Sequence, residues 1–270
     1  MEIAGKRALL TGATGGIGRA IAVALAERGA SVVLSSRKRE ELDALAAALP
    51  GGEHSVIVSD LAEPGAAERL AAEATAGAGI DLLVANAGLP GSGRLSDFSA
   101  AEVARAVRVN LEAPMTLAHD LLPAMVERHG GHLVFVSSLA GKAASPRASV
   151  YNATKFGLRG FALALREDLA GDRAGVGVSV VLPGFIRGAG MFAESGARIP
   201  PGVGTSTPEE VAAGVVKAIE QDKAEVAVAP VQQRLLVGFA HVFPGLAARA
   251  QRGSGTKVAE QLARGQADKR

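Results

Sequence analysis

Tyr151, the single tyrosine of the chain, is followed four residues later by Lys155. Side chains at i and i+4 share one face of a helix, so the two groups are expected to be neighbours. A free tyrosine, with a pKa of about 10, exchanges protons poorly at neutral pH, and a nearby ammonium is expected to lower that pKa. Tyr151 is therefore a candidate acid or base for a carbonyl or alcohol oxygen. The alternative is a surface pair without function, so the interpretation depends on its surroundings.

A second polar group, Ser138, ends a predicted strand thirteen residues before Tyr151. Its hydroxyl could orient a substrate oxygen and stabilise developing negative charge. Ser137 is the competing candidate, and strand alternation points the two side chains in opposite directions. The residue two before Ser138 is Val136, so the Gly-x-Ser-x-Gly elbow of a serine hydrolase is missing.

A glycine-rich stretch from Thr11 to Gly18 follows the first predicted strand and opens the first predicted helix. Glycine lets the backbone turn tightly and approach a pyrophosphate, and a helix N-terminus adds free N–H donors. The alternative is a glycine-rich turn without a ligand, but the strand–turn–helix context favours a dinucleotide site. The predicted contacts are Gly12, Thr14, Gly15, Gly16, Ile17 and Gly18.

The second predicted strand ends in a basic cluster instead of a carboxylate. Arg37, Lys38 and Arg39 follow Ser36, and the first acidic residue is Glu40, already inside the next helix. NAD sites use a carboxylate for the ribose diol, whereas a guanidinium matches the 2′-phosphate of NADP. The sequence therefore predicts that NADP(H) is preferred to NAD(H), with Ser36 and Arg37 as contacts. For Lys38 or Arg39, a solvated helix start is an equal alternative.

Together with Asn86-Ala87-Gly88 after the fourth predicted strand, these motifs resemble the short-chain dehydrogenase/reductase family in its single-domain branch. The resemblance covers roughly Lys6 to Ala229 and implies an NAD(P)-dependent oxidoreductase acting on a CH–OH group. It assigns catalytic roles to Asn110, Ser138, Tyr151 and Lys155, with Asn110 supporting a water-linked proton path to the lysine. The alternative for Asn110 is that it caps or bonds a break in a helix. It adds the cofactor contacts Asp60, Leu61, Asn86, Ala87, Gly88, Tyr151, Lys155, Pro183, Gly184 and Ile186.

The loop after Pro183 departs from the family pattern. A threonine often lies near the fifth position after that proline, where it bonds the nicotinamide carboxamide, but this chain has Gly188. Backbone amides, Thr205 or Ser206 are the candidate replacements. The Gly- and Pro-rich segment from Gly188 to Thr207 is a candidate lid, or an ordinary flexible loop. A lipophilic substrate is suggested by apolar residues near the predicted strand ends, namely Leu89, Leu139, Phe185, Met191 and Phe192.

Short Val- and Leu-rich runs alternate with Ala-rich helical patterns along the chain. Continuous apolar strands indicate a sheet covered on both faces, here a Rossmann-like, doubly wound α/β fold of about seven parallel strands. The predicted strands are Arg7–Thr11, Ser31–Ser35, Ser55–Val58, Leu82–Asn86, His132–Ser137, Gly177–Leu182 and Glu225–Val228. The predicted helices are Gly16–Arg28, Lys38–Leu49, Gly65–Thr75, Ser99–Arg128, Tyr151–Leu169 and Pro208–Gln221. Ligands are then expected at the carboxyl ends of the strands.

The composition agrees with one such domain. The chain has 270 residues, 48% hydrophobic and 21% charged, with no cysteine, which excludes disulfides, thiolate metal sites and a cysteine nucleophile. The net charge of +2 does not indicate nucleic-acid binding. His129 and His132 form the only close histidine pair, and no metal site is predicted. Without a signal pattern or an apolar run of about 20 residues, we expect a cytoplasmic protein.

We predict a Rossmann-fold catalytic domain over residues 1–230 and a basic helical tail over 231–270 that is not an independent domain. The tail's charges from Gln232 onward are basic at Arg234, Arg249, Arg252, Lys257, Arg264, Lys269 and Arg270, and acidic at Glu260 and Asp268. One or two amphipathic helices are expected, joined near Gly253–Gly255. Their apolar face could pack within the protein or a subunit interface, which is favoured, cover the pocket, or touch an anionic membrane.

The sequence thus predicts an NADP-preferring oxidoreductase acting on a carbonyl or secondary alcohol of a lipophilic substrate. The resemblance also implies a homodimer or homotetramer built through the helices Ser99–Arg128 and Tyr151–Leu169. Two alternatives remain: an NADP(H)-binding sensor without turnover, and an isomerase or epimerase that uses a tightly held cofactor transiently. The presence of both Tyr151 and Lys155 argues against the sensor, and the short chain argues against the epimerase.

Overall fold

A seven-stranded parallel sheet, in the order β3-β2-β1-β4-β5-β6-β7, forms the centre of the protein. The computed structural model describes residues 1–190 and 203–265, without the side chains of 251–259, 262 and 263. The strand order reverses between β1 and β4, and such a switch point opens a ligand crevice at the carboxyl ends of the strands. The strands are β1 (Arg7–Thr11), β2 (Ser31–Ser36), β3 (Ser55–Val58), β4 (Leu82–Ala85), β5 (Gly131–Val136), β6 (Val176–Pro183) and β7 (Glu225–Val228).

Helices cover both faces of this sheet, which confirms the predicted Rossmann-like fold. The helices are α1 (Gly16–Ala26), α2 (Arg39–Ala48), α3 (Ala66–Thr75), α4 (Ala100–Val107), α5 (Ala113–Glu127), α6 (Ser149–Gly171), α7 (Pro208–Glu220), α8 (Val231–Val242) and α9 (Pro244–Gly265). One core lies under α3, α5 and α6, and the other lies under α1, α2 and α7. Alternation along a strand feeds both cores, as with Leu9 and Leu10 of β1. Outside two regions, the predicted elements end within two residues of the observed ones.

The first of these regions is the helix predicted over Ser99–Arg128, which is interrupted. A π-helical turn, Arg108–Glu112, separates α4 from α5. Pro114 has no N–H, so the carbonyl of Asn110 loses the donor that a regular α-helix would supply four residues later. The irregular turn therefore occurs at a predicted site residue, and π-helical turns are frequent at functional sites.

The second region is the tail, where the predicted helix junction near Gly253–Gly255 is wrong. Helix α8 ends at Val242, and α9 begins at Pro244 and continues through the glycines to Gly265. Proline fits the first turn of a helix but cannot donate a hydrogen bond to the helix before it. Among the described residues, no helix is both long enough and apolar enough to cross a bilayer.

His132 is a buried histidine at the start of β5, far along the sheet from the switch point. Its Nε2 lies 2.8 Å from Ser179 Oγ, and that hydroxyl donates to the carbonyl of Lys223 at 2.6 Å. Burial lowers the pKa of His132 from 6.5 to about 4, with a smaller opposing effect from Asp222. The folded protein therefore holds this ring neutral where the unfolded chain would protonate it.

We expect this burial to make the protein less stable in acid. The unfolded state binds the proton on His132 more tightly than the folded state does. The free energy of unfolding is therefore undiminished by His132 above pH 6.5 and falls progressively as the pH drops from 6.5 towards 4. Between pH 7.5 and pH 5 the loss should be about 2 kcal/mol. Urea unfolding at both pH values should show a smaller loss for His132→Gln than for wild type, whereas His119→Gln, at an exposed position, should match wild type. Equal losses for wild type and His132→Gln would contradict the assignment.

Candidate active site

The hydroxyl of Thr11 joins the carboxyl ends of β1 and β4 at the switch point. Its Oγ1 accepts hydrogen bonds from the backbone N–H groups of Asn86 and Ala87, both at 3.1 Å. The Asn86 side-chain amide donates back to the Thr11 carbonyl at 3.1 Å. The loop after β4 is thereby fixed against the glycine-rich loop. The sequence motifs assign no role to Thr11, although a polar residue closing an apolar strand was the available signal.

The glycine-rich loop packs so closely on neighbouring backbone that side chains would not fit at Gly12 or Gly18. Gly12 has a φ of +66°, and a Cβ there would lie 2.9 Å from the Cα of Ala87. A Cβ on Gly18 would overlap the carbonyl oxygen of Gly12 and lie 2.9 Å from the Cα of Ala13. Glycine at these two positions therefore lets the loop turn tightly against the start of α1 and the loop after β4.

Among the described residues, the N-terminus of α1 has neither a side-chain cap nor an acidic group in its first turn. Its N-cap is Gly15, which offers no side chain. The N–H groups of Gly16, Ile17 and Gly18 have no acceptor one turn earlier. By contrast, α4 and α7 begin with complete capping boxes built on Ser99 and Thr207. The start of α1 therefore fits the pyrophosphate of a dinucleotide, because helix dipole and N–H donors both favour an anion.

The loop after β6 reaches across to this helix. A Cβ on Gly16 would overlap the Cβ of Ala189, so the two loops touch at a position where only glycine fits. The base of the loop is fixed because Ile186 and Ser206 form a parallel bridge. The predicted contacts Pro183 and Gly184 lie at the carboxyl end of β6, where the Gly184 N–H donates to the Val228 carbonyl at 3.0 Å.

The candidates to replace the missing family threonine are engaged elsewhere. Thr205 accepts a hydrogen bond at its Oγ1 from Arg187 at 3.3 Å, and the Ser206 hydroxyl bonds the side chain of Glu210. Both residues thus hold the base of the loop and its following helix. Most of the predicted lid, residues 191–202, lies outside the described residues, as do Met191 and Phe192.

Of the basic cluster after β2, Arg37 is the cation least engaged by neighbours. Lys38 pairs with Glu41 at 2.6 Å, and Arg39 pairs with Asp43 at 2.8 Å, both within the first turns of α2. The Arg37 guanidinium is paired more loosely, with 3.9 Å between its Nη1 and the Asp60 Oδ2, and its side chain is 54% exposed. The neighbouring predicted contacts are Ser36, whose Oγ accepts from the Lys38 N–H, and Leu61, which is buried.

Ser138, Tyr151 and Lys155 come together beside these loops. Ser138 lies at the end of β5 and its side chain hydrogen-bonds that of Tyr151. Lys155 Nζ lies 5.8 Å from the centroid of the Tyr151 ring. The competing residue, Ser137, points the other way and donates to the Lys155 carbonyl at 2.9 Å. The structure therefore brings the predicted hydroxyl, phenol and ammonium groups together, with Ser137 holding the helix behind them.

The predicted lowering of the Tyr151 pKa is wrong for this structure. Burial raises the pKa of the phenol, and the hydrogen bond with Ser138 opposes that rise without reversing it. Burial also lowers the pKa of Lys155 from 10.5 to about 8, so the ammonium still predominates at neutral pH. Its Nζ donates to the Val136 carbonyl at 3.1 Å, which orients the charge towards the sheet edge. Desolvation, which the i, i+4 spacing does not reveal, decides the sign for Tyr151.

Asn110 joins the π-helical turn to the loop after β4. Its Oδ1 accepts from the Leu89 N–H at 2.7 Å, and its Nδ2 donates to the Leu89 carbonyl at 2.9 Å. The Nδ2 also lies 3.3 Å from Thr154 Oγ1 on α6. A Cβ on Gly88 would lie 3.3 Å from the Asn110 Oδ1 and 3.7 Å from the Lys155 Nζ. Asn110 therefore adjoins Lys155, with its side chain bound to backbone.

Asn152 is a positioning residue to which the sequence motifs assign no role. Its Nδ2 donates to the carbonyls of Ala140 and Ala143, and its Oδ1 accepts from the Ser145 N–H at 3.2 Å. These bonds fix the loop between Ser138 and Tyr151. Its place inside the Tyr-Asn-Ala-Thr-Lys motif was the available signal.

The predicted apolar pocket is present only in part. Leu89 and Phe185 are partly buried at the strand ends. Leu139 does not fit the prediction, because it is buried in the core beneath α5 and α6 and exposes little surface to a substrate.

Comparison with known proteins agrees with this geometry. Residues 6–199 match the family model described as short chain dehydrogenase. The ketoacyl reductase HetN of Nostoc sp. is 40% identical over 231 residues, which cover 84% of this chain and 79% of that protein.

Two solved structures share the fold. A short-chain dehydrogenase from Sphingobium yanoikuyae in complex with NADPH aligns with a TM-score of 0.78 and 26% identity, covering 90% of this chain and 95% of that one. A proposed NAD(P)-dependent gluconate 5-dehydrogenase from Beutenbergia cavernae with bound NADP aligns with a TM-score of 0.74 and 30% identity, covering 85% and 98%.

Proposed function

This chain belongs to the short-chain dehydrogenase/reductase family of NAD(P)-dependent oxidoreductases, and from that premise we propose that it is an NADP-preferring reductase or dehydrogenase of a lipophilic carbonyl or secondary alcohol. The observation that carries the proposal is the cluster of Ser138, Tyr151 and Lys155 beside the uncapped N-terminus of α1. A proton-transfer group and a dinucleotide site then share one crevice, as hydride transfer to a carbonyl requires.

Tyr151 is the proposed acid in the direction of reduction. Its raised pKa keeps the phenol protonated at neutral pH, so its Oη has a proton to give to the carbonyl oxygen. Ser138 would donate a hydrogen bond to the same oxygen and stabilise the negative charge that develops there. In the direction of oxidation, Tyr151 would take the hydroxyl proton back.

Lys155 and Asn110 are proposed to supply and relay that proton. The Lys155 ammonium, with a pKa of about 8, stabilises a phenolate at Tyr151 and can exchange protons near neutral pH. Pro114 removes the α-helical donor to the Asn110 carbonyl, and we propose that this carbonyl orders a water that serves the lysine. The side chain of Asn110 would act by holding Leu89 and α6 in place.

The nicotinamide cofactor, when bound, supplies or accepts the hydride. The residues proposed to hold its pyrophosphate lie at Gly12–Gly18, and those proposed for the adenosine end are Ser36, Arg37, Asp60 and Leu61. The proposed nicotinamide-side contacts are Asn86, Ala87, Gly88, Tyr151, Lys155, Pro183, Gly184 and Ile186. The α1 helix without a side-chain cap and the tightly turned glycine-rich loop support this assignment.

Replacing Arg37 with alanine should weaken binding of NADPH about 10–100-fold while changing NADH affinity less than about twofold, because a guanidinium–phosphate contact is charge-assisted. Fluorescence titration of both cofactors measures the two affinities. Arg39→Ala is the matched control, since Arg39 is already paired with Asp43, and it should change neither affinity appreciably. Comparable affinity of the wild type for both cofactors, unchanged in Arg37→Ala, would refute the NADP preference.

The proposed substrate class follows from the apolar strand ends and from one relative. Leu89 and Phe185 offer apolar surface near the reacting groups. The relative from Nostoc is named a ketoacyl reductase, which supports an acyl chain bearing a ketone. We include ketones, aldehydes and quinones of comparable polarity in the same class.

Consumption of NADPH, followed by absorbance across a panel of apolar ketones, 3-oxoacyl thioesters, aldehydes and quinones, tests the function directly. Turnover of one class with the alcohol product identified would establish the reductase. Tight NADPH binding without turnover across this panel, and without NADP⁺ reduction by the matching alcohols, would favour the sensor instead.

Quaternary structure and location stay predictions. Exposed Met115 of α5 and Phe156 of α6 lie on the helices through which a homodimer or homotetramer is proposed. Cytoplasmic location remains the expectation drawn from the sequence.

A further inference from the structure

Helix α8 buries a polar and a small side chain and exposes most of its large apolar ones, the reverse of an ordinary surface helix. Its buried residues are Gln233 and Ala240, and Ala247 follows on α9. Val237 also packs against the core, but the other large apolar side chains of α8 face outwards, with Leu235 69% exposed. We call these outward residues the apolar tail face: Val231, Leu235, Leu236, Phe239, Val242, Phe243 and Leu246. A contiguous exposed patch of this kind marks an interaction site, because an amphipathic helix normally turns such residues inwards.

The patch is continuous across the two tail helices. Val231, Leu235, Phe239 and Val242 recur at intervals of three or four residues and so share one side of α8. The rings of Phe239 and Phe243 lie 5.3 Å apart and carry the face across the junction towards Leu246. One side of the tail therefore presents an apolar strip that no described residue of this chain covers.

The charges around the strip have a single sign. No acidic residue occurs from 226 to 259, while Arg234, Arg249, Arg252 and Lys257 lie in that stretch. The bracketing carboxylates are engaged: Glu225 pairs with Lys142 and Arg159, and Glu260 pairs with Arg147. A stretch that combines this apolar face with basic residues and no acidic ones matches the surface of a bilayer that contains anionic lipids.

We propose that the apolar tail face docks this protein onto an anionic lipid surface. A second copy is the less suitable occupant, because a two-fold interface would bring the same Arg234 and Arg249 face against itself. The stretch from 226 to 259 contains no acidic residue that could offset that repulsion. An apolar face set in cations is instead suited to insert its leucines and phenylalanines between lipid chains while the arginines meet phosphate headgroups.

Docking would bring the entrance of the proposed active site to the membrane. Gln233 of α8 accepts from the Phe185 N–H at 3.4 Å and donates to the Gly204 carbonyl at 2.8 Å. These bonds tie the buried side of α8 to both ends of the connection between β6 and α7. A lipophilic substrate could then enter from the bilayer, a consequence that rests on the proposed function, whereas the docking itself does not.

Vesicle co-sedimentation of the full chain tests the docking. We expect binding to vesicles of phosphatidylcholine mixed with phosphatidylglycerol, weak binding to phosphatidylcholine alone, and release as salt is raised. The double variant Leu235→Glu/Phe239→Glu should bind the anionic vesicles at least about tenfold more weakly. Leu95→Glu, a matched substitution at another exposed leucine, should bind as wild type does. Arg234→Gln/Arg249→Gln should lose the preference for anionic lipid.

Three outcomes would overturn the proposal: no sedimentation of the wild type with anionic vesicles, equal binding to both vesicle types, or equal loss in Leu95→Glu. Circular dichroism of each variant establishes that it is folded. Light scattering of the same proteins tests whether a second copy of the chain covers the strip instead. If Leu235→Glu/Phe239→Glu dissociates an oligomer and the wild type binds no vesicles, the strip is a subunit interface. None of these measurements uses enzymatic turnover, so they stand apart from the test of the proposed function.

Discussion

Tyr151→Phe is expected to lower kcat about 10²–10⁴-fold, because it removes the proton that the proposed mechanism delivers to the carbonyl oxygen. The ring and its packing remain, and the substitution otherwise removes only the hydrogen bond between the phenol and Ser138. NADPH affinity should fall far less than kcat, because the phosphate loop and Lys155 are unchanged and Tyr151 is one of many proposed cofactor contacts. Steady-state NADPH consumption and fluorescence titration measure the two quantities.

Ser138→Ala provides the comparison for that result. It leaves the acid in place and removes a donor to the developing charge, so we expect a smaller loss of about 10²–10³-fold. If Tyr151→Phe kept more than about a tenth of wild-type kcat, the assigned acid would be wrong. Loss of NADPH binding in Tyr151→Phe would show instead that the residue serves mainly to hold the cofactor.

Gly18→Ala is expected to destabilise the protein by about 1–3 kcal/mol and to remove NADPH binding, although alanine normally favours a helix. The added methyl group would overlap the Gly12 carbonyl oxygen, and a backbone atom cannot move aside as a side chain can. Relief of the overlap would displace the glycine-rich loop from the N-terminus of α1, which is the proposed pyrophosphate site. Urea unfolding and NADPH titration measure both effects.

Gly160→Ala is the matched control within α6. A Cβ there meets no atom within 4 Å, so the usual helix preference should apply and raise stability by about 0.5–1 kcal/mol. Opposite signs for the two substitutions would show that close packing, and not helix propensity, requires glycine at position 18. A stable Gly18→Ala protein with normal NADPH affinity would refute that explanation.

Much of the fold follows from local patterns. The Val- and Leu-rich runs predict every strand, because a strand buried on both faces needs apolar residues without alternation. The glycine-rich loop and the basic residue Arg37 are recognisable because each lies directly after a strand. The candidate site residues are near one another for the same reason, since parallel strands deliver their carboxyl ends to one edge.

The apolar tail face shows what local sequence patterns do not predict, namely which side of a helix is buried. Its spacing predicts amphipathic helices and favours their packing within the protein or in a subunit interface. Only the three-dimensional arrangement shows that Gln233 and Ala240 occupy the buried side and that Leu235 and Phe239 do not. Gln233 is fixed there by hydrogen bonds to Phe185 and Gly204, which are distant in sequence, and periodicity does not encode such contacts.

By itself, the sequence determined the parallel sheet, the order of strands and helices along the chain, and the candidate groups at the edge of the sheet. These features follow from apolar runs, glycines and proline, which fix the conformation of the backbone near them. The tertiary structure decided which way Ser137 and Ser138 point and how the chain around Asn110 leaves the regular helix. It also decided that burial raises the pKa of Tyr151 and lowers that of His132. These outcomes depend on desolvation and on contacts between distant segments, which arise only when the whole chain has packed.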